Sequence, residues 1–230
     1  MKIKILLIPL LLISLKILLS NEIVFLIHGI KDSPKDMRKI EKAVSADYEI
    51  VNFSYPSSKL SISELVDKDL KPELAKISKS DTIHFVTHSM GGILLRVYLE
   101  HYSLENIGKI IMIAPPNQGS EVTDFFHKNF IYKFRYGPAG QELTENIAIE
   151  LAISDSLQQN FGIISGSGTQ LPFFSCFIEG EDDGKISTER TKLKGMKDFI
   201  ILPYPHDTIL KKKETIKQIV WFLKYGKFTR

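Results

Sequence analysis

The chain of 230 residues carries a formal net charge of +3, with 43% hydrophobic and 25% charged residues, which suits one folded domain with a full core. No basic stripe interleaves with aromatic residues, so we expect no nucleic acid as a partner. The single cysteine, Cys176, excludes an internal disulfide. The sequence has no glycine-rich phosphate loop and implies no nucleotide.

The N-terminal segment is first basic and then apolar. Lys2 and Lys4 precede residues 5–19, which are almost wholly apolar, as in the n- and h-regions of a secretory signal. This run is shorter than the about 20 residues that a spanning helix needs. We expect residues 1–20 to be a cleaved signal peptide or an uncleaved membrane anchor, and residues 21–230 to form one domain. Both alternatives predict an exported protein that is periplasmic, secreted or anchored to the cytoplasmic membrane.

Apolar runs and helical patterns alternate along the rest of the chain. The apolar runs predict strands at 23–27, 50–53, 82–86, 109–113, 161–165, 174–178 and 199–202. Helices are predicted around 34–46, 61–78, 91–102, 142–158 and 214–224. Pro34 and Pro72 suit early helical turns, and Gly226 suits a late stop. The alternation predicts an α/β fold with a mostly parallel sheet and helices on both faces.

Ser89 lies in the sequence Thr-His-Ser-Met-Gly-Gly, between the strand predicted at 82–86 and the helix predicted at 91–102. This strand–turn–helix context is the one that a nucleophile elbow requires. The turn would hold the serine hydroxyl above the sheet, at a helix N-terminus whose free N–H groups favour negative charge. Gly91 would let the backbones of the strand and the helix pass closely.

Three further turns complete a candidate catalytic site. The first follows the strand at 23–27 with His-Gly-Ile, and an acyl-transfer serine needs two N–H donors for its oxyanion. We expect these donors to be the N–H groups of Ile30 and Met90. The other two turns carry Asp183 and His206. The order Ser89, Asp183, His206 is that of a hydrolase triad whose serine lies on such an elbow.

The motifs resemble those of small bacterial α/β-hydrolases of the lipase/esterase type. The resemblance rests on the elbow, on Ala-Pro-Pro-Asn-Gln-Gly-Ser at 114–120, on Asp-Asp-Gly-Lys-Ile-Ser-Thr-Glu at 182–189 and on the late His206, and it extends from about residue 22 to residue 228. It implies an α/β-hydrolase fold without a large cap domain, acting on lipid or small ester substrates with no metal and no organic cofactor. The family's Asp-Gly turn favours Asp183 over Asp182 as the acid.

An aromatic segment follows the motif at 114–120. Phe126, Phe130 and Phe134 recur every four residues, which would place them on one face of a helix. One interpretation is an amphipathic flap over the site, with Phe125, Phe126 and Phe130 contacting acyl chains or a membrane surface. The alternative is a helix that packs these rings on the core. The sequence leaves both open.

For the histidines other than His206, the sequence context favours structural roles. His84 and His88 are four residues apart and could suggest a metal pair, but no third ligand lies nearby in the sequence, and hydrogen-bonded roles are favoured. His28 is expected to support the oxyanion turn rather than to transfer protons. The sequence thus predicts a serine carboxylester hydrolase that forms an acyl-enzyme and prefers medium or long acyl chains. The alternatives are an acyltransferase or thioesterase with the same triad, or a non-catalytic envelope binding protein, for which all three residues would not be required.

Overall fold

A single parallel sheet organises the chain. The computed structural model describes residues 21–147, 160–169 and 172–230, and its sheet has six strands in the order β2-β1-β3-β4-β5-β6. The strands are β1 (Glu22–Ile27), β2 (Glu49–Phe53), β3 (Thr82–His88), β4 (Ile107–Ile113), β5 (Phe161–Gly166) and β6 (Asp198–Leu202), and every pairing is parallel. The predicted parallel sheet is confirmed.

Helices connect these strands. They are α1 (Pro34–Val44), α2 (Ile62–Leu65), α3 (Lys71–Leu74), α4 (Met90–His101), α5 (Glu121–Phe126), α6 (Phe130–Glu142), α7 (Pro172–Ser175), α8 (Thr188–Thr191) and α9 (Lys213–Tyr225). A π-helical segment, Val66–Leu70, joins α2 to α3, and a 3₁₀ turn, Ile209–Lys211, precedes α9. Among the described residues, no helix is both long enough and apolar enough to cross a membrane.

The sheet is buried on both faces, as its near-continuous apolar strands require. Alternate residues of β1 point to opposite sides: Phe25 and Ile27 pack with α2 and α4, whereas Val24 and Leu26 pack with α1 and α9. The predicted arrangement of helices on both faces is therefore confirmed, and the structure has no large cap within the described residues.

Two predicted helix boundaries have local physical causes. Pro34 is the first residue of α1, where its missing N–H costs nothing. Gly226 ends α9 in the left-handed conformation, with φ of 66°, and its N–H donates to the Phe222 carbonyl at 2.8 Å. Pro72 instead lies inside a longer helical run that begins at Ile62, directly after the π-helical segment.

The strand predicted at 174–178 is wrong. This part of the chain forms the short helix α7 and a turn, and Phe173 is 65% exposed. Its phenylalanines find partners outside the sheet, since Phe174 and Phe177 contact Phe126 on α5. The predicted leader, and residues 148–158 of the helix predicted around 142–158, lie outside the described residues.

Candidate active site

Ser89 lies in the turn between β3 and α4, at the C-terminal end of the sheet. Its φ of 51° and ψ of −127° are unusual for a residue with a side chain, and such a conformation costs on the order of 1–3 kcal/mol. A Cβ at Gly91 would lie 2.5 Å from the Ile27 carbonyl oxygen, so Gly91 allows a close backbone approach, and the strand that α4 approaches there is β1. The geometry is that of a nucleophile elbow.

The structure brings His206 and Asp183 to Ser89. The His206 Nε2 atom lies 3.0 Å from the Ser89 Oγ atom, and the His206 Nδ1 atom lies 2.6 Å from the Asp183 Oδ2 atom. The other oxygen of Asp183 accepts N–H groups from Lys185 and Ile186, both at 3.0 Å. The His206 N–H donates to the Asp183 carbonyl at 2.9 Å, which fixes the two residues through their main chains as well.

Asp182 has a different environment. Its Oδ1 atom accepts hydrogen bonds from the Ser175 hydroxyl and the Gly184 N–H, both at 2.7 Å, and these stabilise the turn. Asp183 instead packs at the end of β5. A Cβ atom added at Gly166 would lie only 2.8 Å from the Cβ atom of Asp183. Asp183 thus reaches His206 from a turn beside β5, rather than from the end of a strand of its own.

The environment of His206 favours a neutral imidazole. Burial lowers the pKa of His206, and the charges of Lys185 and His88 lower it further, against the raising effect of Asp183. A neutral ring with its Nδ1–H on the Asp183 carboxylate presents an unprotonated Nε2 to the Ser89 hydroxyl. This arrangement can accept a proton from the hydroxyl as its oxygen attacks an acyl carbon.

The loop predicted to bind an oxyanion, residues 28–31, which we call the oxyanion loop, lies against Ser89. A Cβ at Gly29 would be 3.0 Å from the Ser89 Cβ. Ile30 lines the cleft beside Ser89, and Met90 is the first residue of α4. Among the described residues, the N–H groups of Ile30 and Met90 have no acceptor, so both are free to bind an oxyanion.

Side chains from the segment after β2 hold this loop in place. The Tyr55 hydroxyl donates to the His28 carbonyl at 2.6 Å, and the His28 ring stacks on Tyr55 with centroids 4.3 Å apart. The Ser57 Oγ atom accepts the Lys31 N–H at 3.0 Å, and Lys31 is held at φ of 64°. Burial lowers the pKa of His28, which agrees with a supporting role for its neutral ring.

A second histidine–carboxylate pair adjoins the first. The His88 Nδ1 atom lies 2.9 Å from the Asp32 Oδ2 atom, and its Nε2 atom lies 3.2 Å from the His206 carbonyl oxygen. A hydrogen-bonded role for His88 could be predicted from the sequence, but its partner Asp32 was not identified there. His84 is unconnected to this pair, since its Nδ1 atom accepts the Lys109 N–H at 2.9 Å. No cluster of metal-ligating side chains occurs within the described ranges.

The cleft at Ser89 has a volume of about 660 Å³, open solvent included, and one of its walls is apolar. Its aromatic lining comes from Tyr132, Tyr136 and Phe174, which the sequence analysis did not select. The predicted contact residues Phe125, Phe126 and Phe130 do not line the cleft. The Phe126 and Phe174 rings are in contact, with their centroids 5.8 Å apart, whereas Phe125 and Phe130 are exposed.

The aromatic periodicity does not mark one helix face. Asn129 begins a new helix, because its side chain accepts the N–H groups of Ile131 and Tyr132. Phe126 therefore lies on α5, and Phe130 and Phe134 on α6. Phe130 and Phe134 are 77% and 89% exposed, so the core alternative is wrong for both.

Charged groups also reach the cleft. Lys185 and Asp207 line it and form an ion pair at 2.5 Å. Asp32 lines it as well, paired with His88. These charges are matched within the protein, so they leave the apolar wall as the larger free surface for a substrate.

Comparison with known proteins supports this interpretation of the fold. The mature Bacillus licheniformis lipase BlEst2 superposes with a TM-score of 0.66 at 16% identity, covering 89% of this chain and 92% of that one. The Legionella pneumophila phospholipase PlaB superposes with a TM-score of 0.64 at 15% identity, and the match covers 89% of this chain and 59% of PlaB. The Listeria innocua lin2722 product superposes with a TM-score of 0.59 at 16% identity, and the match covers 92% of this chain and 96% of that product. At these identities the likeness shows a shared fold.

A family model supplies the closer assignment. No curated protein matches the chain at a significant level. The model described as palmitoyl protein thioesterase matches residues 23–164, which include the oxyanion loop, the elbow and the first five strands up to Ile164 in β5. Together with the structural matches, this confirms the resemblance to α/β-hydrolases of the lipase/esterase type. The chain belongs to the palmitoyl protein thioesterase family.

Proposed function

We propose that this protein is a serine hydrolase that cleaves carboxylic esters through an acyl-enzyme. The observation that carries the proposal is the unbroken series of hydrogen bonds from Asp183 through His206 to Ser89. Ser89 is the nucleophile, His206 the general base and then acid, and Asp183 the group that orients the imidazole and stabilises its cation. None of these roles requires a metal or an organic cofactor.

The reaction follows from these positions. His206 Nε2 takes the hydroxyl proton while Ser89 Oγ attacks the carbonyl carbon, and the N–H groups of Ile30 and Met90 bind the resulting oxyanion. The intermediate collapses, the protonated imidazole gives its proton to the leaving alcohol, and an acyl-serine remains. Water then attacks the acyl-serine by the same route and releases the acid.

The substrate we propose is a lipid or small ester with a medium or long acyl chain. The apolar wall of the cleft supports this proposal, since Val122, Leu143, Phe174 and the two tyrosines offer contact to methylene groups. A thioester is the second candidate, because the matching family model carries that activity in its description. The two differ only in the leaving group, so the same acyl-enzyme serves both.

The decisive experiment combines active-site labelling with matched substrates. A fluorophosphonate probe should label the wild-type protein and not Ser89→Ala, and hydrolysis should fall by about 10³-fold or more in that variant. Ser120→Ala is the matched control, because Ser120 also lines the cleft but lies outside the triad. Labelling that survives in Ser89→Ala would refute the proposal. The ratio of kcat/KM for an octanoyl oxygen ester and the matching thioester then separates esterase from thioesterase.

Exposed apolar side chains on α5, α6 and α7, the helices that also contribute residues to the cleft lining, support a lipid surface as the source of substrate. We use the name aromatic face for this set of side chains, which are Phe125, Phe130, Ile131, Phe134 and Phe173. Lys128, Lys133 and Arg135 lie among these residues, and no ion pair engages them among the described residues. Apolar rings beside unpaired cations suit the boundary of an anionic bilayer.

Vesicle binding tests the aromatic face directly. With Ser89→Ala present to prevent hydrolysis, we expect sedimentation with phosphatidylglycerol vesicles and much less with phosphatidylcholine vesicles. Phe130→Ser with Phe134→Ser should weaken this binding by about fivefold or more. Trp221→Ser is the control, because Trp221 is exposed near Asp198, at the opposite end of the sheet. Equal losses in both variants would contradict the assignment.

We also propose that residues 1–20 direct export of the protein, as their basic and apolar composition suggests. A fusion reporter that is active only outside the cytoplasm should then be active. N-terminal sequencing of the mature protein distinguishes a cleaved signal from an anchor. A fully active cytoplasmic pool would refute both alternatives.

A further inference from the structure

His88 lies between two groups that can only accept hydrogen bonds. Its Nδ1 atom is 2.9 Å from a carboxylate oxygen of Asp32, and its Nε2 atom is 3.2 Å from the main-chain carbonyl oxygen of His206. A neutral imidazole carries one N–H, so it can satisfy only one of these acceptors. Both contacts are hydrogen bonds only when both ring nitrogens are protonated.

We propose that Asp32 holds His88 as an imidazolium, and that this ion pair is a positioning device for His206. The pair fixes the His206 carbonyl, and it turns its positive end toward the His206 ring, which favours the neutral form of that ring. The inference rests on the proposed function, because it assigns the pair a role through the proposed general base. Neither residue touches the reacting atoms, so neither is a catalytic residue.

The residues around the Asp32–His88 pair leave room for this contact only because Gly29 has no side chain. A Cβ at Gly29 would lie 2.8 Å from Asp32 Oδ2 and 3.0 Å from His88 Nδ1, so a larger residue there would displace the contact. The Asp32 N–H donates to the Gly29 carbonyl at 3.3 Å. Burial raises the pKa of Asp32, but the hydrogen bond from His88 and nearby positive charge outweigh it and lower that pKa to about 2. Asp32 is therefore a carboxylate under all ordinary conditions.

The direction of the effect follows from the order of the charges. The His88 and His206 ring centroids are 5.0 Å apart, and Asp32 bonds to the nitrogen of His88 that does not face His206. The positive charge on His88 therefore lies nearer to the His206 ring than the negative charge on Asp32 does. It opposes a second positive charge on His206. The other charged or titratable groups that act on one or both rings are His28, Asp183, Lys185 and Asp207.

The pH dependence of kcat/KM tests this electrostatic role. In Asp32→Asn, His88 should lose its extra proton, and the acid limb should move to higher pH by roughly half a pH unit to one pH unit. Activity on the alkaline plateau should change much less than activity below the limb. His88→Gln should shift the limb further in the same direction, because it leaves the Asp32 carboxylate facing His206 without the cation. The double variant should return to the Asp32→Asn value.

Asp36→Asn is the matched control and should leave the acid limb unchanged, because Asp36 lies on α1, where its carboxylate bonds to Ser33 rather than to His88 or His206. An acid limb that stays in place in Asp32→Asn, or moves to lower pH, would overturn the proposal. Circular dichroism checks that the His88 variant is folded, and the isosteric Asp32→Asn remains informative if it is not.

Imidazole ¹⁵N spectra provide a readout that does not depend on activity. In the wild-type protein, both His88 nitrogens should carry protons in the ¹⁵N spectrum, and one of these protons should be lost in Asp32→Asn. A singly protonated His88 in the wild type would refute the inference even if Ser89 proves to be the nucleophile. Conversely, a doubly protonated His88 together with an active Ser89→Ala would refute the proposed function and leave the charge state of the pair established.

Discussion

A single methyl group at Gly91 should test whether the approach of α4 to β1 positions the oxyanion site. In Gly91→Ala, the added Cβ would lie 2.5 Å from the Ile27 carbonyl oxygen and 2.7 Å from that of His28. An ordinary carbon–oxygen contact is at least about 3.3 Å, so the helix start must move by roughly 0.8 Å. Both obstacles are main-chain atoms, which cannot swing aside as a side chain does.

Two opposing terms set the size of the effect. Overpacking of this kind costs about 1–3 kcal/mol, whereas alanine gains about 1 kcal/mol over glycine within a helix. We expect a small net loss of stability, at most about 2 kcal/mol, which lowers Tm by several degrees. Activity should fall much further, by about 100-fold in kcat/KM, because the displaced Met90 N–H no longer meets the oxyanion.

Gly92→Ala is the matched control on the next residue. Its Cβ would meet the Thr87 hydroxyl at 3.2 Å and the Pro115 side chain at 3.3 Å, which are tight but not forbidden contacts. Its activity should stay within a few-fold of wild type, as measured by the rate of fluorophosphonate labelling and by ester hydrolysis. If Gly91→Ala is as active as Gly92→Ala, the reasoning about the elbow is refuted.

Three further predictions concern the acid, the oxyanion loop and acid stability. Asp183→Asn should lower kcat by about 10³-fold or more, and Asp182→Asn by far less; the reverse ranking would reassign the acid. Ser57→Ala leaves a loop N–H without its acceptor, which should cost about 1–3 kcal/mol in a urea titration and lower kcat more than it changes KM. Burial raises the pKa of Asp198, but hydrogen bonds led by that from Arg230 outweigh it and lower the pKa. That stabilisation is present above an unfolded pKa of about 4 and is lost as pH falls through the folded value, so Asp198→Asn should flatten the loss of stability below pH 4.

The sequence predicts best those elements whose side chains can be buried in only one way, namely the strands that helices cover on both faces of the sheet. The six strands follow from apolar runs because a parallel sheet covered on both faces needs a near-continuous series of apolar residues along each strand. The run at 174–178 has the same composition, and it forms a helix and turn because its rings pack on other phenylalanines outside the sheet. Composition alone could not distinguish these two ways of covering an aromatic side chain.

The candidate site divides in a similar way. Ser89, Asp183 and His206 could be selected because each follows a recognisable turn and their order along the chain is informative. Asp32 and Tyr55 could not, because their roles arise from contacts across the loops after β1 and β2. One signal was available for Asp32: a carboxylate four residues after His28 in the loop that must approach the elbow. Its partner His88 could be predicted to form hydrogen bonds, but nothing in the sequence paired it with Asp32.

Gly29 is the point at which these contacts converge. A side chain there would meet Asp32, His88 and Ser89 at once, at 2.8, 3.0 and 3.0 Å. The oxyanion loop, the ion pair and the elbow therefore share one small volume, and the absence of a Cβ allows all three to approach. This sharing couples the N–H donor of the loop to the position of His206, because His88 contacts both sides. A change that moves the loop should therefore alter proton transfer together with oxyanion binding, rather than either one alone.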